Sequence, residues 1–254
     1  MKINKKDCLK IYRNMSLIRK FEAEAARLYG LKEIGGFCHI YTGQEAIAGG
    51  LVHCYDEKED QVITSYRDHG LALVCGMTPE AVMGELTGKA MGCSRGKGGS
   101  MHIFDLKSNF YGGHGIVGAQ VPLGTGIAFR NKYLDKKAIC YTFLGDGAAN
   151  QGQVYEAFNM ASLWGLPVIY IIENNQYAMG TSLGRSSCSK TLHERAEGFN
   201  MLHYAVDGMS IISVIEGLQK AIKHCHKKQA PVLIEMNTYR YRGHSMSDPA
   251  NYRT

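Results

Sequence analysis

The stretch AICYTFLGDGAANQGQVYEAFNMASLWGLPVIYIIENNQY (138–177) carries the side chains with the most definite chemistry. Asp146 stands between Gly145 and Gly147, and 26 residues after Gly147 comes Glu173, then Asn174 and Asn175. A carboxylate and a carboxamide brought together offer one charged and one neutral oxygen. That is part of a shell for Mg2+, which takes six oxygens and usually keeps phosphate oxygens among them. Glycines beside Asp146 let a phosphate approach the backbone closely, and the free amides that open a following helix favour the same anion. Alone, the Gly-Asp-Gly turn reads more readily as an ordinary loop in a chain with 30 Gly, and Asn-Asn is a common turn pair. The two turns count because each closes an apolar run.

Those runs, 138–144 and 168–172, are short and rich in β-branched residues, with a helical pattern at 153–164 between them. This is the signature of two buried parallel strands joined by a helix. It places Asp146 and Asn175 beyond the carboxyl ends of neighbouring strands, where open α/β sheets bind ligands. The expected fold class is α/β, a parallel sheet with helices on both faces, in one domain over 1–254.

Other elements follow in order. Ile11, Met15, Ile18, Phe21, Ala25 and Leu28 recur at steps of three or four, which predicts a helix over 7–29. Thr42-Gly43-Gln44-Glu45 has capping-box spacing and opens a helix to about Cys54. His39 precedes that helix, as a structural histidine or beside a bound anion. Strand 61–64 leads into Ser65-Tyr66-Arg67-Asp68-His69-Gly70, where Arg67 suits phosphate by its planar donors or forms a surface pair with Asp68. Thr78-Pro79 starts a helix ending near Gly88. Residues 92–118 form a long irregular segment of the kind that lines a site or interface, followed by a helix over 122–132. A polar loop spans 179–195. Strand 204–206, a helix with Ile211, Val214, Leu218, Ile222 and Cys225 on one side, and strand 232–236 come next. The tail from Thr238 has no apolar periodicity; Arg240, Arg242, His244 and Ser245 suit phosphate contact or belong to a disordered end. His224-Cys225-His226 is not a metal cluster, because successive helical residues point apart.

Composition excludes several classes. The net charge of +6 is mild and spread along the chain, so no nucleic-acid track is expected. Eight cysteines include no Cys-x-x-Cys pair, and no secretory pattern occupies the first residues, which points to a reduced, intracellular protein. No run approaches 18 apolar residues, so no membrane span is expected.

Several segments together resemble the α subunits of heterotetrameric pyruvate dehydrogenases, the first components of 2-oxo acid dehydrogenase complexes. They are FCHIYTGQEA (37–46), TSYRDHG (64–70), GKGGSMHIF (96–104), GHGIVGAQVPLGTG (113–126), GDGAANQGQVYEAFNMASLW (145–164), IENNQYAMGTS (172–182) and YRYRGHSMSDP (239–249). The resemblance runs from about Ile11 to Thr254. It implies a thiamine-diphosphate-binding fold and an enzyme that oxidatively decarboxylates pyruvate and passes the acetyl group to a lipoyl group of an acyltransferase component. Acetoin or branched 2-oxo acids are the alternative substrates, and a non-catalytic derivative of such a subunit is the alternative of another class.

By the same resemblance, Asp146, the Asn175 side chain and the Tyr177 carbonyl hold Mg2+. Tyr66, Arg67 and Arg240 hold the diphosphate of thiamine diphosphate, with Gly147 and Ala148 in the same cofactor-binding turn. Gly115 and Val117 support the aminopyrimidine, and Phe37 and His39 flank the cofactor channel. His244 assists acid/base chemistry, with His39 as a second catalytic candidate. Ser245 matches the serine whose phosphorylation silences mitochondrial members. A β subunit, in an α2β2 heterotetramer, supplies the remaining half of the site. The expected location is the cytoplasm of a bacterium, or the mitochondrial matrix or plastid of a eukaryote. The subunits usually continue beyond Thr254, so a truncated chain is expected. Ser210 stands where the family typically has aspartate.

Overall fold

The computed structural model describes residues 3–253. The helices are α1 (Lys5–Gly30), α2 (Glu45–Cys54), α3 (His69–Val74), α4 (Pro79–Leu86), α5 (Gln120–Tyr133), α6 (Gly152–Leu163), α7 (Leu183–Ser186) and α8 (Ile211–Lys228). The strands are β1 (Gln61–Ser65), β2 (Phe110–His114), β3 (Cys140–Gly145), β4 (Val168–Asn174), β5 (Tyr177–Ala178), β6 (Thr181–Ser182), β7 (Leu202–Asp207) and β8 (Val232–Asn237). Six strands form one sheet in the order β2-β1-β3-β4-β8-β7, and β5 and β6 form a small antiparallel hairpin. Every pairing within the large sheet is parallel.

Both faces of the sheet are covered, which is why β3, β4 and most of β8 read as continuous apolar runs. Tyr141, Phe143, Ile169, Ile171 and Ile234 pack with α1–α4 and α8 on one face. Their neighbours Cys140, Leu144, Tyr170, Ile172 and Leu233 pack with α5 and α6 on the other. The register of β3 on β4 sets Cys140 against Val168 and Gly145 against Glu173, so the two strands end together. Their exits, at Asp146 and Asn175, are therefore side by side.

Several elements depart from the sequence expectation. A sixth strand, β2, lies inside the segment read as irregular, because its sequence Phe-Tyr-Gly-Gly-His hides strand character behind glycines at a sheet edge. His69 opens the short helix α3 and is fully buried, instead of standing on a polar rim. The capping box at 42–45 forms only in part. Helix α2 starts at Glu45, whose carboxylate reaches back to the Gly43 amide at 3.0 Å, and Thr42 does not cap. Gly43 has φ +107°, and a Cβ there would strike the Tyr239 carbonyl. That contact is part of the docking of the C-terminal tail, which packs back on the fold. Tyr241 N donates to Thr42 O at 3.1 Å and Met246 N to Cys38 O at 2.9 Å. Ser210 caps α8 by accepting from Ser213 N at 3.4 Å, a role aspartate serves equally well. Cys225 is buried while His226 is exposed, as the helical spacing requires. Among the described residues, no helix is long and apolar enough to cross a membrane.

Phe158 anchors the α6 side of the sheet: it is 1 % exposed, and its ring centroid lies 4.7 Å from that of Tyr170. We expect Phe158→Ala to cost about 3–5 kcal/mol, read as a lowered midpoint in denaturant unfolding followed by circular dichroism.

Candidate functional site

Loops leaving β1, β2, β3, β4 and β8 meet at the carboxyl edge of the sheet and enclose a cavity of about 820 Å³. All the candidate residues line it: Phe37 and His39, Tyr66 and Arg67 after β1, Gly115 and Val117 after β2, Asp146, Gly147 and Ala148 after β3, Asn175 and Tyr177 after β4, Arg240 and His244 after β8. Arg242 does not line it and is exposed. Ser245 does, almost buried, with Oγ 2.9 Å from Ser247 Oγ.

Asp146 and Asn175 occupy the floor and are 3 % and 6 % exposed. Burial pushes the Asp146 carboxyl up to about 6, opposed by backbone amides and the Arg240 charge. Asn175 Nδ2 donates to Gln44 Oε1 at 3.0 Å, whereas its Oδ1 is buried with no partner among the described residues. A buried carbonyl oxygen left without a donor is costly unless a ligand completes it. The donor set of a carboxylate, an amide oxygen and nearby backbone carbonyls fits a hard divalent cation. Gly147 keeps the β3 turn against the hairpin, since a Cβ there would run into the Ala178 side chain.

The walls are cationic. Arg67 and Arg240 are 5 % and 2 % exposed, and neither forms an ion pair among the described residues. Arg67 donates to the Ile40 carbonyl at 2.6 Å and the His244 carbonyl at 2.8 Å, so its terminal nitrogens brace two wall segments. Arg240 Nη1 lies 2.8 Å from His244 Nδ1, and its buried Nε has no acceptor among the described residues. Burial, then the Arg67 charge, brings Arg240 down to about 10. Two guanidinium groups sharing one cavity, one with an unused donor, suit an anion with several oxygens.

The histidines follow from that charge. Burial first, then Arg67 and Arg240, bring His244 down to about 3; burial, then Arg67 and His244, bring His39 down to about 2. Because Arg240 can only donate, His244 Nδ1 accepts and its proton resides on Nε2. The His39 and His244 rings meet edge to face with centroids 5.1 Å apart, and Tyr66 lies against both, at 4.5 Å and 5.5 Å. Phe37 and Val117, 60 % and 40 % exposed, stand as apolar groups at the mouth.

Sequence reasoning missed the supports behind these groups. Glu173 is buried and pushed up to about 7 by that burial, and it accepts from Tyr41 Oη and from Gln44 Nε2. Glu22, on α1, accepts from Tyr41 N at 2.7 Å and pairs with His69 Nδ1 at 3.0 Å; His69 Nε2 lies 2.9 Å from Ser100 Oγ, which accepts from His39 N. Burial opposes charge on His69, but Glu22, Asp68 and the Ser100 carbonyl together outweigh it, so its pKa is raised. Tyr252 closes the far wall, donating to Asp248 at 2.6 Å, with its ring tilted 37° to that of Tyr177 at 5.3 Å between centroids. These partners are separated by up to 132 residues in sequence, so no local pattern marks them.

Because the folded chain holds His39 and His244 neutral, their proton uptake falls well below the midpoint near 6.5 of a free imidazole. Between about pH 6.5 and 3 the unfolded chain binds more protons at these positions, so both oppose folding increasingly as pH drops through that window. We expect the ring resonances of His39 and His244 in NMR spectra to stay at their neutral positions from pH 8 to about 5; titration near 6.5 would contradict the burial argument.

Known proteins bear on the same residues. The model of the family described as "Dehydrogenase E1 component" matches residues 13–254. The chain is similar to the pyruvate dehydrogenase E1 component subunit alpha of Rickettsia bellii, 54 % identical over 250 residues that make up 98 % of this chain and 76 % of that protein. It is 57 % identical to the Rhizobium meliloti subunit over 251 residues, 99 % of this chain and 72 % of the relative. With the testis-specific mitochondrial form of Rattus norvegicus the identity is 50 % over 253 residues, 99 % of this chain and 63 % of the relative. A family match over nearly the whole sequence, with half or more of the residues identical to these relatives, assigns the chain to the dehydrogenase E1 component family, among the α subunits of pyruvate dehydrogenases.

Proposed function

We propose that this enzyme subunit, an oxidoreductase component acting on pyruvate, provides the Mg2+- and diphosphate-holding half of a thiamine diphosphate centre completed by a β subunit. The observation that carries this reading is the pair of buried oxygens at adjacent strand exits, Asp146 and the unpartnered Asn175 Oδ1, facing two buried guanidinium groups. Asp146 provides the charge, Asn175 the neutral oxygen and the Tyr177 carbonyl a third ligand for Mg2+. Arg240, through its free Nε, and Tyr66 take the diphosphate, while Arg67 keeps the wall segments of Ile40 and His244 in place. Gly115 and Val117 form the shelf for the organic part of the cofactor, with Phe37 and His39 at its channel.

When bound, thiamine diphosphate supplies the electron sink for loss of carbon dioxide from a 2-oxo acid. The protein side of that chemistry is position and proton control. His244, neutral and carrying its proton on Nε2, is set to donate a hydrogen bond to a developing oxyanion, both as carbon dioxide is lost and during acetyl transfer to a lipoyl group of an acyltransferase component. His39 is neutral as well, and its Nδ1 has no partner among the described residues. It serves as a second polar contact for substrate. The exposed Phe37, Ile116 and Val117 at the mouth provide an apolar rim for the β subunit. Residues 1–254 act as one thiamine-diphosphate-binding unit. Pyruvate is favoured over acetoin and branched 2-oxo acids by the pyruvate dehydrogenase names of these relatives.

We expect calorimetric titration of thiamine diphosphate with Mg2+ into the assembled α and β subunits to show saturable binding. Asp146→Ala should weaken it by about 100-fold or more, the upper end of what even indirect supports of a metal site contribute. Unchanged affinity in that variant would overturn the cation assignment.

A further inference from the structure

Which end of the Asn175 carboxamide faces the cavity decides whether it can bind a cation. The oxygen and nitrogen ends are nearly equal in size, so packing alone does not choose between them; hydrogen bonding does. We propose that Gln44 is the positioning residue that makes this choice, a role that rests on the cation reading above.

The choice begins at Glu173, a buried residue near the end of β4 that lines the same cavity. Its Oε1 accepts from Tyr41 Oη and from Gln44 Nε2, the latter at 3.2 Å. An oxygen that accepts twice has no proton to give, and any proton on this carboxyl resides on Oε2. Gln44 is therefore committed to presenting its nitrogen to Glu173 and its oxygen to Asn175. Asn175 Nδ2 meets that oxygen at 3.0 Å. The donor end of Asn175 is thereby directed to Gln44, and Oδ1 is turned away with no partner among the described residues. Flipping Asn175 would set two carbonyl oxygens against each other in a buried place and leave an amide nitrogen toward the cavity, losing one hydrogen bond and the ligand oxygen together.

Two features set Gln44 apart from a packing residue. It occupies the N-cap position of α2, yet its side chain makes no capping bond. It is also fully buried and does not line the cavity, so it reaches the site only through the two lining residues it bonds, Asn175 and Glu173. The relay Tyr41, Glu173, Gln44, Asn175 thus converts the fixed polarity of one carboxyl oxygen into the fixed polarity of a ligand.

The test uses Mn2+ as the probe, titrated with thiamine diphosphate into the α chain assembled with its β subunit and counted by electron paramagnetic resonance. Gln44→Leu should weaken Mn2+ by about 10- to 100-fold, the range expected for losing an outer-shell support. In an Asn175→Asp background both side-chain ends are oxygens, so the same Gln44→Leu change should cost less than about 3-fold. A packing role would cost the same in both backgrounds, and that additivity overturns the proposal. Equal Mn2+ affinity for Gln44→Leu and the unaltered protein also overturns it, with the cation site intact. No Mn2+ binding to the unaltered protein would remove the site itself, and the positioning role with it. Thermal melting of each sample identifies a misfolded variant, in which case Gln44→Met, closer in length, takes the place of Gln44→Leu under the same two criteria.

Discussion

The parallel pairing of β3 with β4 is the constraint on which the site depends. With Gly145 opposite Glu173, the two central strands of the sheet stop at the same height, and the chain turns polar on both at once. A register slip of one residue would invert the face of every side chain on one strand. It would bury polar atoms in one of the two cores and separate Asp146 from Asn175. The alternation of Tyr141 and Phe143 toward one helical layer, and of Cys140 and Leu144 toward the other, makes such a slip costly. The apolar packing that stabilises the sheet thereby also sets the spacing of the proposed ligands.

Around those strand ends the protein buries an unusual density of polar groups. Glu22, Asp68, His69, Gln44, Glu173, Arg67 and Arg240 are each 5 % exposed or less. Most find partners within the protein; among the described buried polar atoms that do not, Asn175 Oδ1, Arg240 Nε and His39 Nδ1 belong to cavity-lining residues, while others, Asp68 Oδ1 among them, lie elsewhere. An unpaired buried polar group costs about 1–3 kcal/mol, so the site is held in a state that a cation and an anion together would relieve. Burial, reinforced by the same two arginines, keeps the neighbouring imidazoles neutral. One charge arrangement thus serves both anion binding and proton control.

The sequence made the centre of the fold legible and left its margins obscure, for physical reasons. Strands β3 and β4 are covered on both faces, so continuous apolar runs revealed them, and the polar stops at Asp146 and Asn175 marked their exits. Helices α1 and α8 were visible by their one-sided periodicity. Strand β2 was not, because an edge strand with two glycines carries little apolar signal. The tail from Thr238 has no periodicity, yet it is ordered by backbone bonds to Thr42 and Cys38, which no local composition announces. Gln44 looked like part of a helix cap because its relation to Glu173 spans 129 residues. Local chemistry revealed which residues could bind; the long-range hydrogen bonds that orient them required the fold.

The most direct test of the cation site is anomalous X-ray scattering from crystals of the assembled α and β subunits grown with Mn2+ and thiamine diphosphate. A cation held at this site places an anomalous peak between the Asp146 carboxylate and Asn175 Oδ1, with both oxygens about 2.0–2.3 Å from the metal. A peak elsewhere in the cavity, or the nitrogen of Asn175 turned toward the metal, would contradict it.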